Sequence, residues 1–317
     1  MEKLIEKIKS ANTIAVIPHI NADPDTLGSC YAFCEAMRLM GKRAVCYVEE
    51  IPQQRFQFIG GEYTLYTGEV DVYDLCASLD CGDMERLGKR AEIFNSAHDT
   101  INIDHHVTNT LFAQANYVEG DAAATGQILC EFLPKLGIKI NDTIARYLYI
   151  AICSDTGCFK FSNVESKTLR YTADLLEYNF DQAEIARLLF DTDSLSVTKF
   201  KAELMGSIES YADGKLSVIE LSDELYEKYG IPESEVPNVV DIPRRVEGTE
   251  IALCFKPKKD GIGVNFRSNS DVDVSKISIK FGGGGHERAA GCTVHEGTMQ
   301  QVKRAVIDEC VRVLENL

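Results

Sequence analysis

Residues 13–29 read TIAVIPHINADPDTLGS. Thr13–Ile17 is short, apolar and rich in β-branched residues, which is the signature of a buried strand. A polar loop carrying His19, Asp23 and Asp25 follows at once, and a helical pattern then runs from about Leu27 to Met40. A strand that passes through a short loop into a helix opens a β-α-β unit. The same rhythm continues outward from this stretch. Ala44–Val48, Leu75–Leu79 and Thr100–Ile103 are further strand candidates. Helical patterns follow at Ala122–Leu136, Asp142–Cys153, Ser166–Tyr178 and Asp181–Phe190. The fold class expected is α/β, with a mostly parallel sheet covered by helices on both faces in the N-terminal domain.

The rhythm changes near Asp191–Lys201, where Asp, Ser and Thr dominate. Beyond it, Leu216–Leu221, Ile251–Lys256 and Gly263–Arg267 read as strands and Thr298–Leu317 as a helix. The expected organisation is a catalytic domain over 1–190, a linker over 191–210 and a smaller α/β domain over 211–317.

Composition narrows the function classes. The chain has 317 residues, 45% hydrophobic and 26% charged, ordinary values for a globular protein with two cores. No stretch approaches the roughly 18 apolar residues of a membrane span. The opening MEKLIEKIKS mixes charge with Leu4, Ile5 and Ile8 and lacks the features of a signal peptide, so a cytoplasmic protein with no membrane association is expected. Eleven cysteines without a C-x-x-C pair read as reduced thiols used as small hydrophobes. The net charge of −16 argues against general binding to long DNA, which needs many Lys and Arg contacts to phosphate. It does not exclude a nucleotide substrate, because a carboxylate cluster loses its acidity when it holds cations.

The chemistry gathers where strands end. Thr13–Ile17 delivers His19, Asp23 and Asp25; Leu75–Leu79 ends on Asp80; Thr100–Ile103 ends on Asp104, His105 and His106; the helix at Asp142–Cys153 runs into Asp155. In an open parallel sheet, sites form beyond the carboxyl ends of the strands. A single Asp there is usually a turn former or a helix cap, but several strand ends repeating the pattern weaken that reading. Carboxylates with imidazoles and no thiolate suit Mn²⁺, with Mg²⁺ as the other ion the set would accept. Six side chains (His19, Asp23, Asp25, Asp80, His105 and Asp155) exceed what one ion with open positions can use, so two ions are expected. Two such ions can share a carboxylate, activate a water and neutralise a phosphoryl oxygen.

HINADPDTLGS, SLDCGD, NIDHHVTN and CSDTG, in this order, resemble the four motifs of the DHH phosphoesterase family. FRSNSDVDVSKISIKFGGGGHERAAG resembles the C-terminal domain associated with one of its subfamilies, so the likeness spans nearly the whole chain. The resemblance implies one ion held by His19, Asp23 and Asp80, and a second held by Asp25, Asp80, His105 and Asp155. It makes Asp104 the group that orients an imidazole and His106 the group facing the substrate phosphate. Within the family the architecture looks most like enzymes that hydrolyse short oligoribonucleotides, linear dinucleotides and 3′-phosphoadenosine 5′-phosphate (pAp). A RecJ-like single-strand exonuclease and a non-catalytic nucleotide-binding protein are the alternatives, and there is room for a homodimer.

The second site expected is the glycine run. Gly283, Gly284 and Gly285 followed by His286 offer backbone N–H groups to an anion, and Arg267, Ser268 and Arg288 can add contacts to a phosphate. The run Lys256-Pro257-Lys258-Lys259 beside Asp260-Gly261 reads as a solvated hairpin tip.

Overall fold

A computed structural model describes residues 1–68, 71–232, 236 and 239–316. The chain divides into two units, Met1–Thr192 and Asp193–Leu317.

The first unit runs α1 (Glu2–Ser10), β1 (Thr13–Ile17), α2 (Pro24–Leu39), β2 (Arg43–Val48), β3 (Thr64–Leu65), β4 (Leu75–Leu79), α3 (Ala91–Ser96), β5 (Asp99–Asp104), β6 (Ala115–Val118), α4 (Thr125–Lys135), α5 (Asp142–Asp155), α6 (Ser166–Leu175) and α7 (Gln182–Phe190). The six strands form one sheet in the order β3-β2-β1-β4-β5-β6, and every neighbouring pair is parallel. Both faces are covered, as the apolar runs require. Ile14 and Val16 of β1 pack into one core with α2, α4 and α5, whereas Ala15 and Ile17 pack into another with Ile93 and Phe94 of α3. The chain leaves β1 toward β2 on one side and resumes with β4 on the other. The order therefore reverses between β1 and β4, which is where an open α/β sheet leaves a crevice at its carboxyl edge.

Two glycines set how closely the helices over that edge approach. A Cβ on Gly28 of α2 would stand 2.6 Å from the Tyr147 carbonyl oxygen, and one on Gly126 of α4 would stand 2.5 Å from the Ala151 Cβ. Their absence lets α2 and α4 lie directly against α5.

Several boundaries differ from the sequence reading. α2 begins at Pro24, earlier than Leu27, because Asp23 caps it and Pro24 takes a first-turn position where no N–H is needed. α4 begins at Thr125, later than Ala122; the preceding alanines are buried but not helical. α5 continues through Asp155 and closes in a Schellman turn, with the Gly157 N–H on Ser154 O (3.0 Å) and the Cys158 N–H on Cys153 O (2.8 Å). β6, of sequence ANYV, is an edge strand with only one buried residue and so carries no apolar run to read.

The second unit runs α8 (Leu195–Gly206), β7 (Glu209–Tyr211), β8 (Leu216–Glu220), α9 (Asp223–Tyr229), α10 (Asp241–Arg244), β9 (Ile251–Lys258), β10 (Gly261–Ser268), α11 (Val274–Lys280), β11 (Gly284–His286), β12 (Ala289–Val294) and α12 (Met299–Glu315). The polar run read as a linker holds α8. Its Ser194 is an N-cap, and Val197, Phe200 and Leu204 are buried against the β8–β9 part of the sheet. The order is β11-β12-β10-β9-β8-β7, antiparallel except for the β8–β9 pair. α11 and α12 cover one face of this sheet. Among the described residues, no helix is long and apolar enough to cross a membrane.

Candidate metal centre

His19 follows β1 and is almost fully buried. Its Nδ1 lies 2.6 Å from the Ile20 carbonyl oxygen, so that nitrogen carries the proton and Nε2 offers its lone pair. Nε2 faces Asp23 Oδ2 at 3.7 Å and Asp80 Oδ2 at 3.8 Å. Asp23 has two tasks. Oδ1 accepts from the Thr26 N–H and hydroxyl, both at 3.0 Å, while Oδ2 turns toward His19. The helix-cap reading thus holds for Oδ1, and Oδ2 is left facing His19, where a metal ligand would stand.

Asp25 sits in the first turn of α2 with no exposed surface. It accepts from the Thr125 N–H (2.8 Å), the Gly126 N–H (3.0 Å) and the Ser29 hydroxyl (3.1 Å). Two of these donors belong to the N-terminus of α4, the positive end of its dipole. Asp80, just beyond β4, is buried in a left-handed backbone conformation with φ 56°. Its N–H bonds Ile103 O, and its carboxylate accepts from the Thr26 hydroxyl (2.5 Å) and the Thr125 hydroxyl (3.0 Å).

β5 ends in Asp104, with His105 and His106 next. His105 repeats the His19 arrangement: Nδ1 stands 3.1 Å from Ala122 O. Its Nε2 lies 3.4 Å from Asp155, 3.5 Å from Asp80 and 3.9 Å from Asp25. The imidazole that Asp104 holds is His106, with Oδ1 2.7 Å from Nδ1. Asp104 is itself fixed by the Asn109 amide at 2.5 Å, which also donates to Asn102. His106 is about a third exposed, the most open of the three histidines at this rim.

The ligand atoms of His19, Asp23 and Asp80 lie within 4.8 Å of one another, as do those of Asp25, His105 and Asp155. A third such group, Asp80, His105 and His106, overlaps both. Burial, and then the neighbouring carboxylates, hold Asp25, Asp80 and Asp155 well above the usual carboxylate range. Asp23 goes the other way. Its enclosure raises it, but the His19 imidazole and the Thr26 donors outweigh that and set it at about 2. Burial and the adjacent His106 keep His105 neutral to lower pH than usual, whereas the Asp104 carboxylate raises His106. Among the described residues, no Lys or Arg pairs with these ligand carboxylates. Crowded acids with inward-facing imidazole lone pairs are the donor set that divalent cations fit. The nearby thiol is not part of it, since Cys81 Sγ donates to Asp83 O.

All six expected ligands thus converge, together with Asp104 and His106. The sequence reading missed the hydroxyls and amides that hold them: Thr26, Ser29, Thr125 and Asn109. Thr26 and Thr125 had a signal, because each follows a loop at the strand-end rim and opens a helix.

In the second unit Arg267 is partly exposed, with Nη1 on Phe266 O and Nε 3.9 Å from Asp241. Arg288 is exposed, with Nη2 3.4 Å from Asp271. Ser268 is buried, and its hydroxyl is engaged with the Ser270 backbone. The glycine run is not an open ring of N–H groups. The Gly282 and Gly283 N–H groups donate to Ile279 O and Ser278 O, and Gly284–His286 pair with β12 as an edge strand. Hydrogen bonding to α11 and β12 draws the run into regular structure, and its available amides are those on the outer edge of β11.

Carboxylates and imidazoles converging at the switch point of a doubly covered parallel sheet are what a metal-dependent hydrolase of phosphoester bonds requires. Residues 13–152 match the DHH family, N-terminal domain, and residues 213–312 match the DHHA1 domain. The chain thus carries, in order, the DHH and DHHA1 domains of the DHH phosphoesterases. A Thermus thermophilus protein named bifunctional oligoribonuclease and PAP phosphatase NrnA is 29% identical over 311 residues, 97% of this chain and 92% of its own. A Bacillus subtilis protein of the same name is 27% identical over 320 residues, 99% of this chain and 96% of its own. The fold is shared with the crystal structure of an exopolyphosphatase-related protein from Bacteroides fragilis, at a TM-score of 0.87 and 19% identity, covering 99% and 97% of the two chains.

Proposed function

We propose that this protein hydrolyses short oligoribonucleotides and pAp, using two divalent cations, with Mn²⁺ favoured over Mg²⁺. The observation that carries this reading is the pair of ligand groups linked through Asp80, with His106 at their open side. The full-length likeness to proteins named as oligoribonuclease and PAP phosphatase supports the substrate class. His19, Asp23 and Asp80 would hold one ion, and Asp25, Asp80, His105 and Asp155 the other. One imidazole in each set favours the softer Mn²⁺. When bound, the ions supply Lewis acidity for the phosphoryl oxygens and for the attacking water.

The chain's own groups do the rest. Thr26 and Thr125 fix both oxygens of Asp80. The Ile20 and Ala122 carbonyls fix the tautomers of His19 and His105. Asp104 keeps His106 protonated at Nδ1 and raises its basicity, so a charged imidazole can hydrogen-bond a non-bridging phosphoryl oxygen as charge builds there. The second unit contributes affinity through Arg267, His286 and Arg288. Cytoplasmic location fits a chain whose eleven cysteines are all free, all but Cys158 buried.

The test is phosphate release from pAp, and nucleotide release from a dinucleotide and a five-nucleotide RNA, with Mn²⁺, with Mg²⁺ and with a chelator. Turnover with Mn²⁺ that the chelator abolishes is expected. Absence of turnover on all three substrates with either ion would overturn the reading.

A further inference from the structure

The two faces of the second sheet differ. One packs on α11 and α12. The other is covered at β8 and β9 by α8, α9 and α10, through Ala252 and Cys254 of β9; α10 also reaches β10, but the apolar core there takes no residue from β10, β11 or β12. Strand register gives what lies on the uncovered part, because directly paired residues share a face. Arg267 pairs with Ala289, which pairs with His286. Two residues along β10, Asn265 pairs with Gly291, which pairs with Gly284. Two further, Gly263 lies between Lys256 and Thr293. Gly261, paired with Lys258, completes the face.

The expected hairpin is present, β9 and β10 turning at Lys259–Asp260, and its stem places Lys256 and Lys258 on this face. A Cβ on Gly263 would stand 2.9 Å from Lys258 Cε and 3.2 Å from Lys256 Cγ, so both lysine stems lie flat across the strand over the glycine. Lys258 Nζ reaches the Thr293 hydroxyl at 3.0 Å. Between them the residues enclose a concavity of about 350 Å³, floored by Gly263, Gly283 and Gly291 and reached by Asn265 and His295. None of the residues that β9 to β12 place on this face is acidic, in a chain with 49 Asp and Glu against 33 Lys and Arg. Among the described residues, carboxylates paired with cations at its margins are Asp241, beside Arg267, and Asp260, beside His295.

We propose that this face is a phosphate track for single-stranded oligonucleotide, running about 13 Å along β10 from the Arg267–His286 row to the Lys256–Lys258 concavity. It deepens the proposed function and rests on it for the substrate class. A mononucleotide engaged at the Arg267 row leaves the lysines without a phosphate, whereas a chain of several nucleotides occupies both ends. Lys256 and Lys258 are then specificity residues for substrate length and touch nothing that pAp uses. The glycine floor lets the sugar-phosphate backbone approach the sheet, and Asn265 can pair with a base edge or a ribose hydroxyl.

The experiment compares the full chain with Lys256→Gln/Lys258→Gln and with Lys256→Arg/Lys258→Arg, on pAp and on a five-nucleotide RNA with Mn²⁺. The glutamine variant should raise KM for the RNA about tenfold with kcat unchanged, leave pAp kcat/KM within twofold, and be rescued by arginine. A second arm measures binding of the same labelled RNA in chelator across a salt series. Losing two lysine–phosphate contacts should lower the slope of log Kd against log salt by about 1.4. An unchanged RNA KM in an active enzyme, or an unchanged salt slope, overturns the track. If the wild type turns over neither substrate, the proposed function fails, and the salt slope still decides whether the face binds single strands.

Discussion

At the rim of the first sheet, Asp25 and Asp104 have no exposed surface and His19 only 3%. On the open face of the second sheet, Lys258 and His286 stand in solvent. The first region is built from groups whose burial is unfavourable unless hydrogen bonds and cations compensate, and nearly every polar atom there is held by a named partner. The second uses exposed cations whose attraction acts at a distance, is screened by salt and needs no fixed geometry. Chemistry that depends on placement is assigned to the rigid, enclosed region. On the proposed reading, affinity, which can be adjusted in steps of about 1 kcal/mol, falls to the open one.

Substitutions should sharpen that contrast. The largest effect is expected from Asp80→Asn, which keeps the side-chain shape and removes the charge shared by both ligand groups. Loss of several kcal/mol of transition-state stabilisation, at least about 10³-fold in kcat, should appear in phosphate release from pAp. The same variant tests the burial argument in the absence of ions. Asp80 binds its proton more tightly folded than unfolded, so it destabilises the ion-free protein as pH rises above the ordinary carboxylate value. In chelator the variant should therefore melt above the wild type at pH 7, with the gap closing toward pH 4. A variant both active and no more stable would dissolve the comparison.

Next in size is His106→Ala, expected to lower kcat about 10²-fold with little change in KM. Asp104→Asn should shift the alkaline limb of the kcat profile to lower pH. The reason is that the Asp104 hydrogen bond is the main cause of the raised His106 basicity, and its loss makes the imidazole deprotonate earlier. An unmoved limb would separate His106 from catalysis. The smallest effect is expected from Arg267→Ala, about a tenfold rise in KM for pAp and RNA alike with kcat retained, because a partly exposed cation away from the reacting atoms contributes equally to ground and transition states. A fall in kcat as large as that of His106→Ala would mean that the open face also shapes the reaction.

The sequence revealed the rim better than its supports. His19, Asp80, His105 and Asp155 could be placed because each closes an apolar strand or helix, where periodicity is strongest. Asp23 could be read as a cap or as a ligand, and the structure gives Oδ1 to the cap and leaves Oδ2 facing His19. Thr125 was harder, because its role depends on α2 and α4 both closing on α5 at Gly28 and Gly126, which brings Asp25 to the Thr125 N–H from a hundred positions away. α8 was hidden because its buried residues Val197, Phe200 and Leu204 alternate with polar ones, while the apolar Leu195 and Met205 are exposed and blur the pattern. The lysine face was hidden for another reason. Local composition marks a hairpin, and only register shows that Gly263 sits under both side chains.

The backbone at Asp80 narrows what evolution can place there. A left-handed φ of 56° is open at little strain to glycine, asparagine and aspartate, and its N–H bond to Ile103 O ties that conformation to the neighbouring strand. Glycine would relax the chain and delete the carboxylate. Asparagine would fit the bend and lose the charge. Glutamate would keep the charge, strain the bend and carry its oxygens one methylene beyond Thr26 and Thr125. Geometry and charge intersect at one amino acid, so on the proposed reading each substitution at this position gives up either the bend or the charge.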